Sequence, residues 1–329
     1  MNTPGETRFA PEWLALREGA DASARAAGLL GPLRHFLAGR VRPAPGRGRA
    51  APSADAELVI RDLGCGTGSM GRWLAPRLNG TQHWILHDHD PDLLDLAAAR
   101  LPRTGADGGR VTVATRPGDL ARLTAEELTG TGTDLVTASA LLDLLTHEEL
   151  DRLAAACAEA GCPALLALSV AGRVDLTPAD PLDAAIGSAF NDHQRRLDGG
   201  RRLLGPDAVA AAREVFARHG MTVHVESSPW RLGRGPARPA GGANGRAADG
   251  RDTTGTGTGT GTDRADDSAL TAQWLRGWVG AAREQRPDLA PRATAYLRRR
   301  LEACEAGGLG VVVHHSDVLA LPGRTGGGG

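Results

Sequence analysis

A glycine-rich segment, DLGCGTG at residues 62–68, follows the apolar run 58–60 and precedes residues 69–78, which show helical spacing. The apolar run predicts a strand, and Met70, Trp73 and Leu74 predict the buried face of a helix. Glycines at alternate positions permit positive φ angles and let a ligand approach the backbone where a Cβ atom would collide. Because open parallel sheets bind ligands at the carboxyl ends of their strands, this segment predicts a binding site between strand and helix.

Strand-like and helix-like segments alternate from Glu57 to about Pro229, which predicts a parallel sheet with crossover helices. Residues 164–170, ALLALSV, are almost entirely apolar, as is typical of a strand covered on both faces. We therefore predict a doubly wound, Rossmann-like α/β sheet of seven strands, with N-terminal helices and helical insertions. The predicted strands are 58–60, 83–87, 111–115, 134–137, 164–170, 221–227 and 310–319, and the predicted helices are 69–78, 91–101, 146–160, 206–219, 270–282 and 291–306.

The domain organisation follows from changes in composition along the chain. Residues 1–50 predict a helical cap, and 51–232 an α/β core whose regular alternation is interrupted by a polar insertion at 171–204. Residues 233–267 are of low complexity and end in a Gly-Thr repeat, which predicts a disordered linker. Residues 268–323 then supply two helices and a last strand that complete the core, and 324–329 form a tail.

Charge and cysteine content exclude several classes of partner. The 329-residue chain has a formal net charge of −1, which supplies no general field for nucleic acid or an anionic membrane. Its four cysteines have no metal-ligand spacing, which predicts reduced thiols and no metal site. The start of the chain does not resemble a signal peptide, and no apolar run approaches the roughly 20 residues that cross a bilayer. These features predict a cytoplasmic protein with no nucleic-acid or membrane partner.

Four short motifs resemble those of one enzyme family. The pattern Asp-x-Gly-x-Gly-x-Gly at 62–68 looks like motif I of class I S-adenosylmethionine (SAM)-dependent methyltransferases. The run 88–91, Asp-His-Asp-Pro, resembles the post-I motif with its ribose-binding acid. The run 118–120, Gly-Asp-Leu, resembles the acidic site beside the adenine ring, and 134–139 is similar to motif IV. The resemblance covers about 58–227 and the last strand, which the family inserts antiparallel beside the sixth.

The resemblance implies a class I methyltransferase fold with SAM as cofactor and S-adenosylhomocysteine (SAH) as product. It places Asp62 near the methionine amino group, the glycines beside the methionine portion and ribose, and Asp88 at the ribose hydroxyls. The cofactor-binding residues that it implies are Asp62, Gly64, Cys65, Gly66, Thr67, Gly68, Asp88, His89, Asp119, Leu120 and Ser139.

Other functions remain open at this stage. Residues 66–71 also fit the GxGxxG pattern of NAD(P)-dependent oxidoreductases, although that fingerprint begins directly after the strand, whereas Asp62 and Gly64 come first here. The chain is alternatively a SAM-binding module without turnover, or an enzyme that transfers the aminopropyl group. The sequence has no (Asp/Asn)-Pro-Pro-(Tyr/Phe) motif and no Pro-Cys pair. A small-molecule acceptor is therefore expected first, and a protein or RNA second.

Candidates for the acceptor chemistry lie after the fourth and fifth strands. A general base is needed only if the acceptor loses a proton, and Asp143 and His193 are the candidates for that catalytic role. Arg195 and Arg196, in a cluster with Arg201 and Arg202, are the candidate substrate-binding residues for an anionic acceptor. In the N-terminal helix, Arg25 pairs with Asp21 one turn away or, alternatively, binds the SAM carboxylate.

Overall fold

The computed structural model describes residues 10–39, 57–118, 123–233 and 261–323, with residues 261–266 described by their backbone alone. The chain divides into two compact units. Unit 1 comprises Met1–Arg173, Asn191–Trp230 and Val313–Gly329, and unit 2 comprises Val174–Phe190 and Arg231–Val312. The predicted core 51–232 and the completing segment 268–323 are thus each divided between the two units, a finer partition than composition indicates.

Unit 1 is built on a doubly wound sheet. The strands in chain order are β1 Leu58–Leu63, β2 Gln82–Asp88, β3 Val111–Pro117, β4 Leu135–Ser139, β5 Ala164–Thr177, β6 Leu197–Asp198, β7 Arg201–Arg202, β8 Met221–Ser227, β9 Trp230–Gly233 and β10 Gly310–Pro322. The large sheet has the order β3-β2-β1-β4-β5-β10-β8, and β9 pairs with β10. β1 pairs in parallel with β2 and β4, whereas β10 is antiparallel to β8. The predicted fold class, including the antiparallel last strand beside the sixth large strand, is confirmed.

Helices cover both faces of this sheet. The helices in chain order are α1 Pro11–Ala24, α2 Leu30–Ala38, α3 Ser69–Leu74, α4 Pro91–Arg100, α5 Ala125–Gly130, α6 His147–Glu159, α7 Asp183–Gln194, α8 Ala208–Arg218, α9 Gly261–Gln285 and α10 Ala290–Glu305. One buried apolar cluster contains side chains of α5, α6 and α8, and a second contains side chains of α2, α3 and α4. Both clusters include residues of the central strands, so the sheet forms the middle layer and its loops are left to form a site.

Local sequence signals fix several helix boundaries. At α6 the Thr146 hydroxyl accepts from the Glu149 amide and the Glu149 carboxylate accepts from the Thr146 amide, so the predicted capping box is present. At α4 the Asp90 side chain caps the helix and Pro91 occupies its first turn. The predicted helix 69–78 is shorter than expected: α3 ends at Leu74 and a 3-10 turn covers Ala75–Arg77, because Pro76 removes a backbone donor.

The insertion after the fifth strand is more regular than its polar composition suggests. It contains α7 and a hairpin, β6–β7, whose two turn residues Gly199 and Gly200 both have positive φ angles. Two consecutive residues with positive φ angles are typical of a tight two-residue hairpin turn, and glycine adopts them most readily. The hairpin ends on Arg201 and Arg202, which fixes where that part of the arginine cluster points.

Unit 2 contains α9 and α10 and most of α7. α9 begins at Gly261, inside the segment 233–267 for which the sequence predicts a disordered linker; residues 234–260 of that segment lie outside the described part of the chain. The helical pattern that starts near Leu270 extends upstream because the intervening sequence contains no proline. Among the described residues, none of the helices has the length and apolar content needed to span a bilayer.

Candidate active site

A cavity of about 650 Å³ lies at the carboxyl ends of β1, β2 and β4 in unit 1. The glycine-rich loop and Asp88 line one part of it, and α1, the segment after β4 and the β6–β7 hairpin line the rest. Its volume is within the range of small-molecule sites, about 300–1,000 Å³. The position is the one that a parallel sheet leaves open for a ligand.

The glycine-rich loop forms the floor of this cavity. Gly64 and Gly66 have φ angles of 58° and 53°, in the left-handed region that side chains disfavour. The Cys65 amide donates to His87 O at 2.9 Å, which fixes the loop against the end of β2. A Cβ atom on Gly66 would lie 3.2 Å from Leu14 Cδ1. The loop therefore needs glycine for its conformation and for the close approach of α1.

Asp88 connects the end of β2 to this loop. Its Oδ2 accepts from the Gly66 amide at 2.9 Å, and its Oδ1 accepts from the Asp90 amide at 3.0 Å. The side chain is buried yet lines the cavity, and His89 Nδ1 lies 3.3 Å from Oδ1. Two backbone bonds thus hold a carboxylate in place at the cavity wall, beside the glycines.

Asp62 lies at the end of β1 and lines the cavity, and its side chain is buried. Its Oδ1 accepts from the Thr137 hydroxyl at 2.8 Å, while its Oδ2 is buried with no hydrogen-bond partner among the described residues. Burial raises the pKa of Asp62 to about 7, partly opposed by the Thr137 hydrogen bond and by Arg25. An orphaned carboxylate oxygen in a cavity wall fits a cationic donor on a ligand.

The helix α1 forms a wall opposite the loop. Leu14, Arg17 and Asp21 share one helix face and line the cavity. Glu18 binds Arg72 of α3 through both carboxylate oxygens, at 2.6 and 2.7 Å, which ties the wall to the loop's own helix. The predicted pairing of Asp21 with Arg25 is wrong, because the Asp21 carboxylate is occupied by Arg17 and the Trp230 indole N–H.

Arg25 instead lies beneath the cavity wall. It is 4% exposed, and its Nη2 donates to Ser69 Oγ at 2.9 Å and to Ser139 Oγ at 3.1 Å. Its Nε and Nη1 are buried without hydrogen-bond partners among the described residues. Burial lowers the pKa of Arg25, and the nearby carboxylates of Asp21, Asp317 and Asp62 oppose that shift.

The remaining part of the cavity combines an apolar wall with charged groups. Leu141, Leu144, Leu145 and Leu203 line it. Four charged residues also line it: Glu149, Arg196, Asp198 and Arg201.

Two of these charged groups neutralise each other. Arg201 Nη2 lies 2.7 Å from Glu149 Oε2, and although desolvation acts against it, this contact and the Thr146 amide lower the pKa of Glu149. Arg196 differs from Arg201, since within the described part of the chain its guanidinium donates only to the backbone oxygen of His193, at 3.3 Å.

Most of the predicted cofactor-binding residues are brought together. Those that line the cavity are Asp62, Gly64, Cys65, Gly66, Thr67, Asp88, His89 and Ser139. Gly68 lies behind the loop, where a Cβ atom would be 3.0 Å from Ala97 Cβ, so it serves packing against α4. Asp119 and Leu120 lie outside the described residues, although the preceding Gly118 lines the cavity.

The candidates for acceptor chemistry are distributed less favourably. Arg196 lines the cavity, whereas Arg195 lies outside its lining and forms an exposed ion pair with Asp207 at 2.6 Å. Asp143 and His193 are also not lining residues. Asp143 lies in a 3-10 turn whose next residue, Leu144, lines the cavity, and burial raises the pKa of its carboxyl. His193 is near the end of α7.

Several lining residues were not among the sequence candidates. Leu14, Arg17 and Asp21 belong to a helix that no motif marks, and Glu149 is explained locally as a helix cap. Asp198 reaches the cavity because of the hairpin turn at the paired glycines, and the same turn brings in Arg201, which the sequence had placed in the arginine cluster. That glycine pair is the one signal that indicates the hairpin in advance.

Comparisons with known proteins agree with this geometry. The strand order is that of the predicted doubly wound, Rossmann-like sheet, and the loop-lined cavity lies at the carboxyl ends of its strands. Residues 60–163 match the family model described as a methyltransferase domain, which confirms the predicted resemblance to SAM-dependent methyltransferases at the level of the domain. No curated protein sequence matches the chain.

The chain is also similar to solved methyltransferase structures. A loganic acid methyltransferase with SAH is 12% identical, with a TM-score of 0.44, over 94% of this chain and 95% of that one. A phosphoethanolamine N-methyltransferase 2 of Haemonchus contortus in complex with SAM is 13% identical, with a TM-score of 0.40, over 97% and 59%. A mycolic acid cyclopropane synthase with SAH is 13% identical, with a TM-score of 0.38, over 80% and 79%.

Proposed function

We propose that this chain binds SAM in the cavity of unit 1 and transfers its methyl group to a small-molecule acceptor, leaving SAH. The observation that carries the proposal is the Asp88 carboxylate, held 2.9 Å from the Gly66 amide at the wall of a cavity of about 650 Å³. A carboxylate at this point accepts hydrogen bonds from both ribose hydroxyls of an adenosine, each contributing about 1.5–3 kcal/mol.

The other end of the cofactor fits the buried carboxylate of Asp62. Its Oδ2 has no partner among the described residues, so it is available to the methionine ammonium. A ligand that supplied a negative charge here, such as the pyrophosphate of NAD(P), would instead be repelled. The unpartnered oxygen therefore favours a cationic amino-acid group over a dinucleotide.

The protein's contribution to transfer is alignment. SAM supplies an activated sulfonium, so the methyl–sulfur bond breaks with its electron pair staying on sulfur while the acceptor forms the new bond to the methyl group. Holding the sulfonium and the acceptor in line lowers the activation barrier by about 7–11 kcal/mol. The leucine wall and Arg196 are the side chains we assign to acceptor binding, and Arg196 suits an acceptor with negative charge.

For an acceptor that loses a proton, Asp143 and His193 remain the proposed general bases. Asp143 is the better supported of the two, because its buried Oδ1 has no hydrogen-bond partner among the described residues and burial raises the pKa of its carboxyl, which strengthens it as a proton acceptor. If Asp143 is the base, Asp143→Asn lowers kcat and removes the acidic limb of the pH–rate profile. An unchanged profile would exclude it.

Cofactor identity is tested by calorimetric titration with SAH and, separately, with NADH. We expect SAH to bind and NADH not to bind. Asp88→Ala should weaken SAH binding by roughly 10- to 100-fold, the loss of one or two charge-assisted hydrogen bonds. Asp107→Ala is the matched control, because Asp107 also accepts from backbone amides, those of Gly80 and Gly109, but does not line the cavity. NADH binding without SAH binding would overturn the proposal.

Acceptor class is tested with SAM labelled in its methyl group. The protein is incubated with a cell extract separated into small molecules, protein and RNA, and we expect label in the small-molecule fraction. Label confined to protein or RNA would show that the acceptor is a macromolecule. SAH binding with no transfer to any fraction would indicate a binding module without turnover.

A further inference from the structure

The sheet of unit 1 ends in an open edge at β8. This strand is the last in the order of the large sheet, and none of the described strands pairs with its outer side. An unpaired edge presents a row of free N–H and C=O groups, which proteins commonly protect with proline, basic side chains or a bulge. β8 contains no proline, lysine or arginine, and it pairs with consecutive residues of β10 without a bulge. The edge is therefore able to accept another strand.

The pairing of β8 with β10 decides which backbone groups face outward. The Ser228 amide donates to His315 O at 2.9 Å, and in the same register Ser227 lies opposite Ser316. In an antiparallel ladder, alternate residues direct both their N–H and their C=O toward the same neighbour. The backbone groups of 222, 224 and 226 therefore face β10, whereas those of 223, 225 and 227 face the open side.

The middle of the open edge carries an exposed apolar residue between two charged ones. Val225 is 38% exposed, and the only other large apolar side chain with that degree of exposure in the described part of the chain is Leu197, in the β6–β7 hairpin. His224 and Glu226 are also exposed, and neither has an ion-pair partner among the described residues. No residue of β8 lines the cavity, so an inference about this edge is independent of the proposed function.

We propose that the β8 edge is the interface of a homodimer, in which the β8 strands of two copies pair antiparallel about a two-fold axis at Val225. The outward residues 223, 225 and 227 of the two copies then exchange about six backbone hydrogen bonds. Val225 packs against the same residue of the second copy. His224 of each copy lies opposite Glu226 of the other, at positions without backbone bonds, where facing side chains approach most closely.

Charge complementarity selects this register. The outward groups of both copies must meet, so a two-fold axis passes through a residue of the strand. An axis at His224 would place two imidazoles opposite each other, and an axis at Glu226 would oppose two carboxylates, which is destabilising. An axis at Val223 would place His224 opposite Thr222. Only the axis at Val225 pairs an acid with a base, and it does so twice, as a self-complementary two-fold interface requires.

The test exchanges the two facing charges and measures mass by analytical ultracentrifugation over a range of protein concentration. We expect the wild type to be a dimer. His224→Glu introduces a carboxylate opposite Glu226, and Glu226→Arg introduces a guanidinium opposite His224. Each single substitution should raise the dimer dissociation constant by roughly tenfold or more, and the double variant should restore the dimer. Leu197→Lys is the matched control, because it changes the other exposed apolar side chain and should leave the dimer intact.

Mixing the two single variants, each checked for folding by circular dichroism, tests the register directly. In a mixed dimer the introduced carboxylate faces the introduced guanidinium, and Glu226 of one copy faces His224 of the other. The two variants should therefore associate with each other more tightly than either does with itself. A wild type that is monomeric at every concentration would overturn the proposal, and so would a dimer that both single substitutions leave intact. Weakened single variants that do not associate when mixed would exclude the axis at Val225.

Discussion

The Thr137 hydroxyl donates to Asp62 Oδ1 at 2.8 Å between two residues that are directly paired across β1 and β4. This bond leaves one oxygen of Asp62 for a ligand and lowers a pKa that burial would otherwise raise further. The position of the Asp62 carboxylate on β1 is therefore fixed by a side chain of the neighbouring parallel strand β4.

The first prediction concerns pH. With the pKa of Asp62 raised to about 7, the free protein holds a largely protonated carboxyl at pH 5.5 and an ionised one at pH 8. A ligand ammonium requires the ionised form, and the amino-acid ammonium of SAH stays protonated across this pH range. SAH affinity should therefore rise with pH, by up to about tenfold per unit below pH 7, and level off above it.

Calorimetry at pH 5.5, 6.5 and 7.5 measures this dependence. Asp62→Asn should bind SAH more weakly at pH 7.5 and show no slope. Thr137→Val should move the midpoint to higher pH, because the hydrogen bond that lowers the pKa is lost. A flat profile in the wild type would contradict the assignment of Asp62 to the ammonium.

The second prediction concerns the glycine loop. Gly66→Ala forces a side chain into a φ of 53° and brings its Cβ to 3.2 Å from Leu14, so it should cost stability and weaken SAH binding. The backbone term alone is about 1–2 kcal/mol. Gly80→Ala is the matched control, since Gly80 also has a positive φ, of 86°, but its Cβ would meet open space. Both variants should lower Tm, and only Gly66→Ala should lower SAH affinity.

The third prediction uses two adjacent arginines. Arg196 lines the cavity without a carboxylate partner among the described residues, whereas Arg195 is paired with Asp207 outside it. With the acceptor found in the extract experiment, Arg196→Ala should raise its KM by roughly tenfold or more, and Arg195→Ala should leave it within about twofold. Equal effects of the two substitutions would argue against an anionic acceptor at Arg196.

The fourth prediction concerns the stability of unit 2. Arg300 is buried and binds both oxygens of Asp183, at 2.6 and 2.7 Å, and the Tyr296 hydroxyl donates to the same carboxylate. Arg300→Met leaves that carboxylate without its cation and should lower the free energy of unfolding by about 3–5 kcal/mol in urea titrations. Arg299→Ala breaks an ion pair with Asp180 whose arginine is about half exposed, and it should cost under about 1 kcal/mol. Similar losses for both variants would show that Arg300 is not a buried anchor.

Local patterns in the sequence were sufficient for much of the fold. Apolar runs placed the large strands, and Thr146 with Glu149 placed the start of α6, because these signals act between residues close in sequence. The loop glycines, Asp62 and Asp88 could be predicted to lie together for the same reason. Their side chains follow strand ends, and parallel strands bring those ends to one edge.

The rest depended on contacts between distant segments. Leu14 and Arg17 have no local signature of a site, and their position follows only from the packing of α1, tied to α3 by Glu18 and Arg72. Ser69 and Ser139, which both line the cavity, are joined by Arg25, which is 44 and 114 residues away from them. Composition could not separate Arg195 from Arg196, because the direction of each side chain depends on how α7 ends before the hairpin.

The insertion of β10 between β5 and β8 bears on how this protein is made. Asp317 of β10 accepts hydrogen bonds from the amides of Ala26 and Leu168. Its carboxylate therefore binds a residue that lies 291 positions earlier in the chain. On the ribosome, the β8 edge must wait for a partner strand that is synthesised after it, and contacts of such long sequence separation slow folding. Nascent chains stalled before residue 310 should therefore lack the strand that fills the gap between β5 and β8.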